Sequence, residues 1–196
     1  MTLQSLNLGS LNFLVADPNP YFQSLLKGVL QAFGARHITT AETGSQALDL
    51  TRHHAYDLLF CDCYLPLLDG FDLVRQVRAD NLNQNRYTPI IALTSHTQER
   101  NVARARDCGT SFVLAKPIAP KQLYDRLLWV AEDPRPYVMA ESYVGPDRRF
   151  KRDERNMPRE RRGIALPEAP AAAATGAEIA PAMLPVASVD PALARL

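Results

Sequence analysis

Apolar residues in the first 133 positions come in short blocks whose spacing alternates between two periods. "NFLVAD" (12–17) is a continuous apolar run closed by a carboxylate, the pattern of a strand buried on both faces. The next block places Phe22, Leu25, Leu26, Val29, Leu30 and Phe33 at i, i+3, i+4, i+7, i+8 and i+11, one face of a helix. Asn19 is suited to cap that helix, with Pro20 at its first position and Gly34 to end it. A strand over 36–41 and a helix from about 45 to 54 follow, then "DLLFC" (57–61) as a third strand. After Asp69-Gly70 a helix turns Phe71, Val74 and Val77 inward. "PIIALT" (89–94) and "SFVLA" (111–115) predict two more strands, separated by a polar helix over 98–108. A last helix, 120–132, presents Leu123, Leu127 and Val130.

Five short strands alternating with five helices predict an α/β fold, a doubly wound five-stranded parallel sheet covered on both faces. Right-handed crossovers leave that sandwich as the economical topology. The rhythm stops at Asp133. Nine of the fifteen prolines lie in 134–196, and no helical or strand period continues there. The expected organisation is an N-terminal lead (1–10), one domain (11–133), a basic tether (134–162) and an Ala/Pro-rich disordered C-terminal tail (163–196).

Composition changes this picture little. Residues 1–133 carry 12 basic and 13 acidic side chains, and 134–196 carry 10 and 8, which sum to the overall +1. So weak a charge points to no electrostatically driven partner for the chain as a whole, and no nucleic-acid partner is expected. The basic residues concentrate in 148–162, eight Arg or Lys against three acids, a run read as solvated and disordered ahead of the alternative, a patch for nucleic acid or an acidic partner. Three cysteines, Cys61, Cys63 and Cys108, have neither zinc spacing nor an even count, which favours reduced thiols and a cytoplasmic location. Cys61 and Cys63 are expected on opposite faces of their strand. The N-terminal residues lack the basic flank and cleavage site of a signal peptide, no apolar run is long enough to span a bilayer, and no membrane association is expected.

Chemistry enters at the strand ends. Asp17, Asp62, Thr94 and Lys116 each close a different strand, and in this topology those ends lie along one edge of the sheet. A buried strand gains nothing from a terminal carboxylate unless the charge is paired or used. Two carboxylates suit a divalent cation, while a lysine and a hydroxyl suit the oxygens of a phosphoryl group. Each residue alone reads as a turn former, a strand former or a solvated loop residue; the four together do not. His37, His53, His54 and His96 show no metal-ligand arrangement.

In "FLVADPNP", "AETGSQALDL", "DLLFCDCYLPLLDG", "PIIALTS" and "LAKPI", in that order and at that spacing, residues 11–133 resemble the receiver domain of two-component response regulators. The resemblance implies a flavodoxin-like receiver fold. It implies that Asp62 accepts a phosphoryl group from a histidine kinase or histidine phosphotransfer protein, with Lys116 and Thr94 contacting that group. It implies Mg²⁺ bound by Asp17, Asp62 and the backbone carbonyl of Tyr64, with no organic cofactor, and a phosphoacceptor rather than an enzyme. Signalling would run through phosphorylation-gated binding of an output protein, through the face formed by the fourth helix, fifth strand and fifth helix. The "GPDRR" at 145–149 resembles an extension of some alphaproteobacterial single-receiver proteins.

Two positions depart from the family pattern. Receivers carry two adjacent acids after the first strand, and here the second is Pro18. The aromatic switch position three residues before the lysine is Val113, with Phe112 beside it. Tyr64 and His96, two residues after Asp62 and Thr94, occupy positions that in the family influence how water reaches the phosphorylated Asp. These departures keep open an alternative, a receiver-like interaction module that works without phosphorylation. An Asp-nucleophile phosphatase is disfavoured because such enzymes want an acid where Tyr64 stands. A DNA-binding transcription factor is disfavoured because no output domain pattern follows residue 133.

Overall fold

The computed structural model describes residues 7–95, 99–133, 135–140 and 143–147. The basic run 148–162, the Ala/Pro-rich tail and His96 lie outside the described residues. Five strands, β1 (Asn12–Ala16), β2 (His37–Ala41), β3 (Leu58–Asp62), β4 (Ile90–Thr94) and β5 (Phe112–Ala115), alternate with five helices. These are α1 (Pro20–Ala32), α2 (Gly44–His53), α3 (Gly70–Ala79), α4 (Glu99–Asp107) and α5 (Pro120–Ala131). All strand pairs are parallel, in the order β2-β1-β3-β4-β5. This is the doubly wound parallel sheet that the alternation predicts, in the flavodoxin-like strand order that the resemblance implies.

Two apolar clusters hold the layers together. One joins α1 and α5 to the sheet through Phe13, Val15, Leu26, Leu30, Phe60, Leu123 and Leu127. The other joins α2, α3 and α4 through Leu14, Ala47, Leu59, Phe71, Val74, Val77 and Ala105. β3 and β4 are buried at every position, because helices cover both of their faces. Cys61, Cys63 and Cys108 all lie in the second cluster. That corrects the expectation of opposite faces for the first two, since positions two apart along a strand direction share a face.

The caps fall where the sequence puts them. Asn19 accepts from the Tyr21 and Phe22 amides, Pro20 opens α1, and Gly34 ends it at φ 98°. The α1 stripe is narrower than its spacing predicts. Leu26 and Leu30 are buried, but Leu25 is 55% exposed and Gln23 takes a buried place beside them.

Both ends of the folded unit differ from the sequence-based boundaries. Leu8 and Leu11 are buried in the α1–α5 cluster, so the folded unit begins before residue 11. At the other end the expected tether 134–162 is partly structured. β6 (Tyr137–Ala140) and β7 (Tyr143–Pro146) form an antiparallel hairpin packed against the domain at the edge of the sheet away from the strand C-termini. The sequence hides it because two four-residue strands, one mostly exposed and one burying a glycine and a proline, leave no apolar period to read.

Arg78 explains why the hairpin docks. It is 2% exposed and donates to the carbonyls of Asn85, Arg86, Thr88 and Gly109. Burial pushes its pKa down. The Tyr137 ring lies 5.4 Å from its guanidinium carbon, covering the charge with a π face, and meets Tyr87 edge-on at 5.6 Å. Two glycines permit the approach. A Cβ on Gly109 would stand 2.3 Å from the Val144 carbonyl oxygen, and one on Gly145 2.7 Å from the Gly109 Cα. Arg135, paired with Asp133 at 2.6 Å, donates to the Ser111 carbonyl and fixes the entry to the hairpin.

Candidate functional site

The order in which the chain adds strands reverses between β1 and β3, and the crevice at that switch point is where open α/β sheets present ligands. Asp17 follows β1 directly and is fully buried. Asp62 ends β3, Thr94 ends β4, and Lys116 follows β5. The four residues expected at separate strand ends are therefore brought to one edge.

The Lys116 ammonium binds an oxygen of both carboxylates, Oδ2 of Asp17 and Oδ2 of Asp62. A single nitrogen can touch both only if the carboxylates converge. Their other oxygens are also engaged: Oδ1 of Asp17 accepts from the Asn19 amide at 2.9 Å, and Oδ1 of Asp62 from the Tyr64 amide at 2.7 Å. The Lys116 amide donates to the Thr94 carbonyl at 2.8 Å, which ties the β5 end to the β4 end. Thr94 is 1% exposed.

Local sequence accounts for this geometry. The Asp17-Pro18-Asn19-Pro20 turn folds the α1 N-terminus back over β1. Gln23, from the next turn, donates to the carbonyls of Asp17 and Ala41, tying the ends of β1 and β2. On the other side α3 begins almost against β3. A Cβ on Gly70 would lie 1.9 Å from the Asp62 carbonyl oxygen, so only glycine fits, and Asp69 caps the helix through the Phe71 amide at 2.6 Å. The "DG" reads as an ordinary turn in the sequence; its tertiary role is to let α3 start beside Asp62.

Cys63 follows Asp62, and its thiol is poorly suited to nucleophilic attack. Burial, and then the neighbouring Asp62 charge, push its thiol up to about 12, leaving it protonated at neutral pH. Burial raises Cys61 well above its ordinary value and Cys108 to about 11.

Two converging carboxylates offer the hard oxygens a divalent cation takes, and the Tyr64 backbone is held beside them by its hydrogen bond to Asp62. The donor set fits Mg²⁺ with one anion fewer than a triple-acid pocket, because Pro18 occupies the next position and is exposed. Among the described residues no cluster of three His, Cys, Asp or Glu side chains is arranged to hold a metal. Val113 is half-buried against the α2–α4 cluster. Phe112 turns to the opposite side, edge-on to Trp129 at 5.3 Å and under the Arg126 guanidinium. Tyr64 is 43% exposed at the crevice mouth and meets Phe71 edge-on. The sequence does not mark Gln23 and Phe22 as site residues: Gln23 carries no chemical signature in a helix, and Phe22 reads as core.

This topology has known counterparts. The sequence pattern of the response regulator receiver domain matches residues 13–128, more than half of the chain, and the chain belongs to that family. Sensor protein EvgS of Escherichia coli K12 is 36% identical over 108 residues, 55% of this chain and 9% of that protein. "Probable histidine kinase 2" of Oryza sativa is 28% identical over 132 residues, and the match spans only 12% of its length. Among solved structures, the receiver domain of sensor histidine kinase PA1611 from Pseudomonas aeruginosa superposes with a TM-score of 0.55 at 31% identity. It covers 62% of this chain and 96% of that one, and it holds a magnesium ion in its active-site cleft. Chemotaxis response regulator CheY4 of Vibrio cholerae gives 0.56 at 27% identity, covering 61% and 98%. The family match ends at residue 128, before the β6–β7 hairpin. Among the described residues no helix is long and apolar enough to cross a membrane.

Proposed function

We propose that the chain is a phosphorelay receiver in which Asp62 accepts a phosphoryl group from a histidine kinase or histidine phosphotransfer protein. The observation that carries this reading is the Lys116 ammonium held against Asp62 and Asp17 at the switch-point crevice. An Asp62 oxygen attacks the phosphorus, the bond from phosphorus to the donor nitrogen breaks, and its electron pair leaves with the donor. The incoming oxygens are anionic, and Lys116 exchanges its Asp62 contact for one of them. Asp17 keeps the lysine in reach. Thr94, at the end of the adjacent strand, supplies a hydroxyl donor to the same group, and its movement shifts the loop that follows β4. Mg²⁺, carried by Asp17, Asp62 and the Tyr64 carbonyl when bound, supplies further neutralisation of the phosphoryl charge. The modified state is read by an output protein at the α4–β5–α5 face. The location this reading implies is cytoplasmic.

A second reading, a partner-binding module that works unphosphorylated, is favoured by Pro18 and Val113. One experiment separates the two. Incubation with acetyl phosphate and Mg²⁺, followed by intact mass, is expected to add one phosphoryl group that Asp62→Asn abolishes. No added mass in the parent would sink the phosphoacceptor reading and leave the module.

A further inference from the structure

Lys116 carries one more contact that neither the strand-end pattern nor the carboxylate pairing explains. Its ammonium sits 4.1 Å from the centroid of the Phe22 ring, over the face. Phe22 belongs to the first turn of α1, is partly buried and packs against the α1–α5 core cluster. The ring's position is set by the backbone. The Phe22 amide donates to the Asn19 side chain at 3.3 Å, Asn19 donates its own amide to Asp17, and Gln23 ties the same turn to the Asp17 carbonyl. The helix cap thus places an aromatic face over the lysine and the lysine over the two carboxylates.

We propose that Phe22 is a positioning residue for Lys116: its ring holds the ammonium between Asp17 and Asp62 and closes its open side to water. This rests on the phosphoacceptor reading for its consequence, the rate at which Asp62 is phosphorylated. A lysine side chain is long and loses substantial rotamer freedom when pinned. Hydrogen-bonding partners alone would pin it by engaging its three N–H donors. An aromatic face attracts the cation through its quadrupole and consumes none of them. Two donors serve Asp17 and Asp62, and the one on Asp62 can turn to a phosphoryl oxygen while the ring keeps the nitrogen in place. Phe22 does for position what Asp17 does for charge.

The test replaces Phe22 by mono-, di- and trifluorinated phenylalanine, which weakens the ring quadrupole stepwise at nearly constant volume, alongside Phe22→Leu. Two quantities are read on the full chain: hydrogen exchange of the Lys116 ammonium by ¹H–¹⁵N NMR, and the rate of Asp62 phosphorylation by acetyl phosphate. Exchange is expected to quicken and phosphorylation to slow steadily along the series, by about tenfold at its end, the scale of one partly desolvated cation–π contact. A flat series beside a slow Phe22→Leu would assign the ring to packing and overturn the proposal. Flat results throughout would overturn it equally. If the parent takes up no phosphoryl group, the phosphoacceptor reading fails, and the exchange series alone then decides whether Phe22 holds Lys116.

Discussion

Replacing Tyr137 by Ala removes the ring that covers the Arg78 guanidinium and tests whether the hairpin belongs to the folded unit. Three contributions are lost. The cation–π contact with a desolvated charge contributes about 1–2 kcal/mol. The edge-on pair with Tyr87 adds about 0.5–1.5 kcal/mol. Burial of a half-buried ring adds about 1 kcal/mol. These terms share one side chain and do not add fully, so the expected destabilisation is about 2–3 kcal/mol. For a folded unit of this size that lowers Tm by roughly 5–10 °C. Urea unfolding followed by Trp129 fluorescence, paired with a thermal scan, measures both. Tyr137→Phe is the control: its hydroxyl makes a long bond to the Thr88 carbonyl, at 3.5 Å, so loss of about 0.5 kcal/mol or less is expected. Truncation after Asp133 should cost at least as much as Tyr137→Ala, since it also uncovers Gly109 and frees Ser111 from Arg135. A Tyr137→Ala protein within about 0.5 kcal/mol of the parent would refute the reasoning and return the domain boundary to Asp133.

Gly70→Ala should destabilise by about 2–3 kcal/mol or displace α3, because its Cβ would lie 1.9 Å from the Asp62 carbonyl; a chemical melt and a rate of phosphorylation together report which. Pro18→Asp returns an anion to the pocket and should tighten Mg²⁺ binding in an NMR titration while lowering stability without metal; equal affinities would mean that the vacancy is already filled. Stability should fall as pH rises from about 9 towards 11–12, because the folded-state thiols of Cys63 and Cys108 keep protons that the unfolded chain has released. A Cys63→Ala, Cys108→Ala protein should show a shallower alkaline loss; an unchanged slope would assign it to other groups.

The apolar periods of α1, α3 and α5 and the continuous runs of β1, β3 and β4 were legible because burial on one helix face, or on both strand faces, imprints a repeat on the chain. The strand-end residues Asp17, Asp62, Thr94 and Lys116 were legible for a related reason: parallel topology makes the C-terminal end of each strand a shared edge, so chemistry at four such ends must meet. Contacts that join segments distant in sequence leave no period. The cover of Tyr137 over Arg78 spans 59 positions, and the Gly109–Gly145 approach is visible only once β7 lies against the turn after α4. Gly70 looks like any turn glycine until the Asp62 carbonyl stands where its Cβ would be. Phe22 fits a core stripe equally well, and only the fold puts a lysine from residue 116 beneath its ring. Local sequence dictates which way each segment buries itself; what each side chain meets across the chain depends on three-dimensional closure.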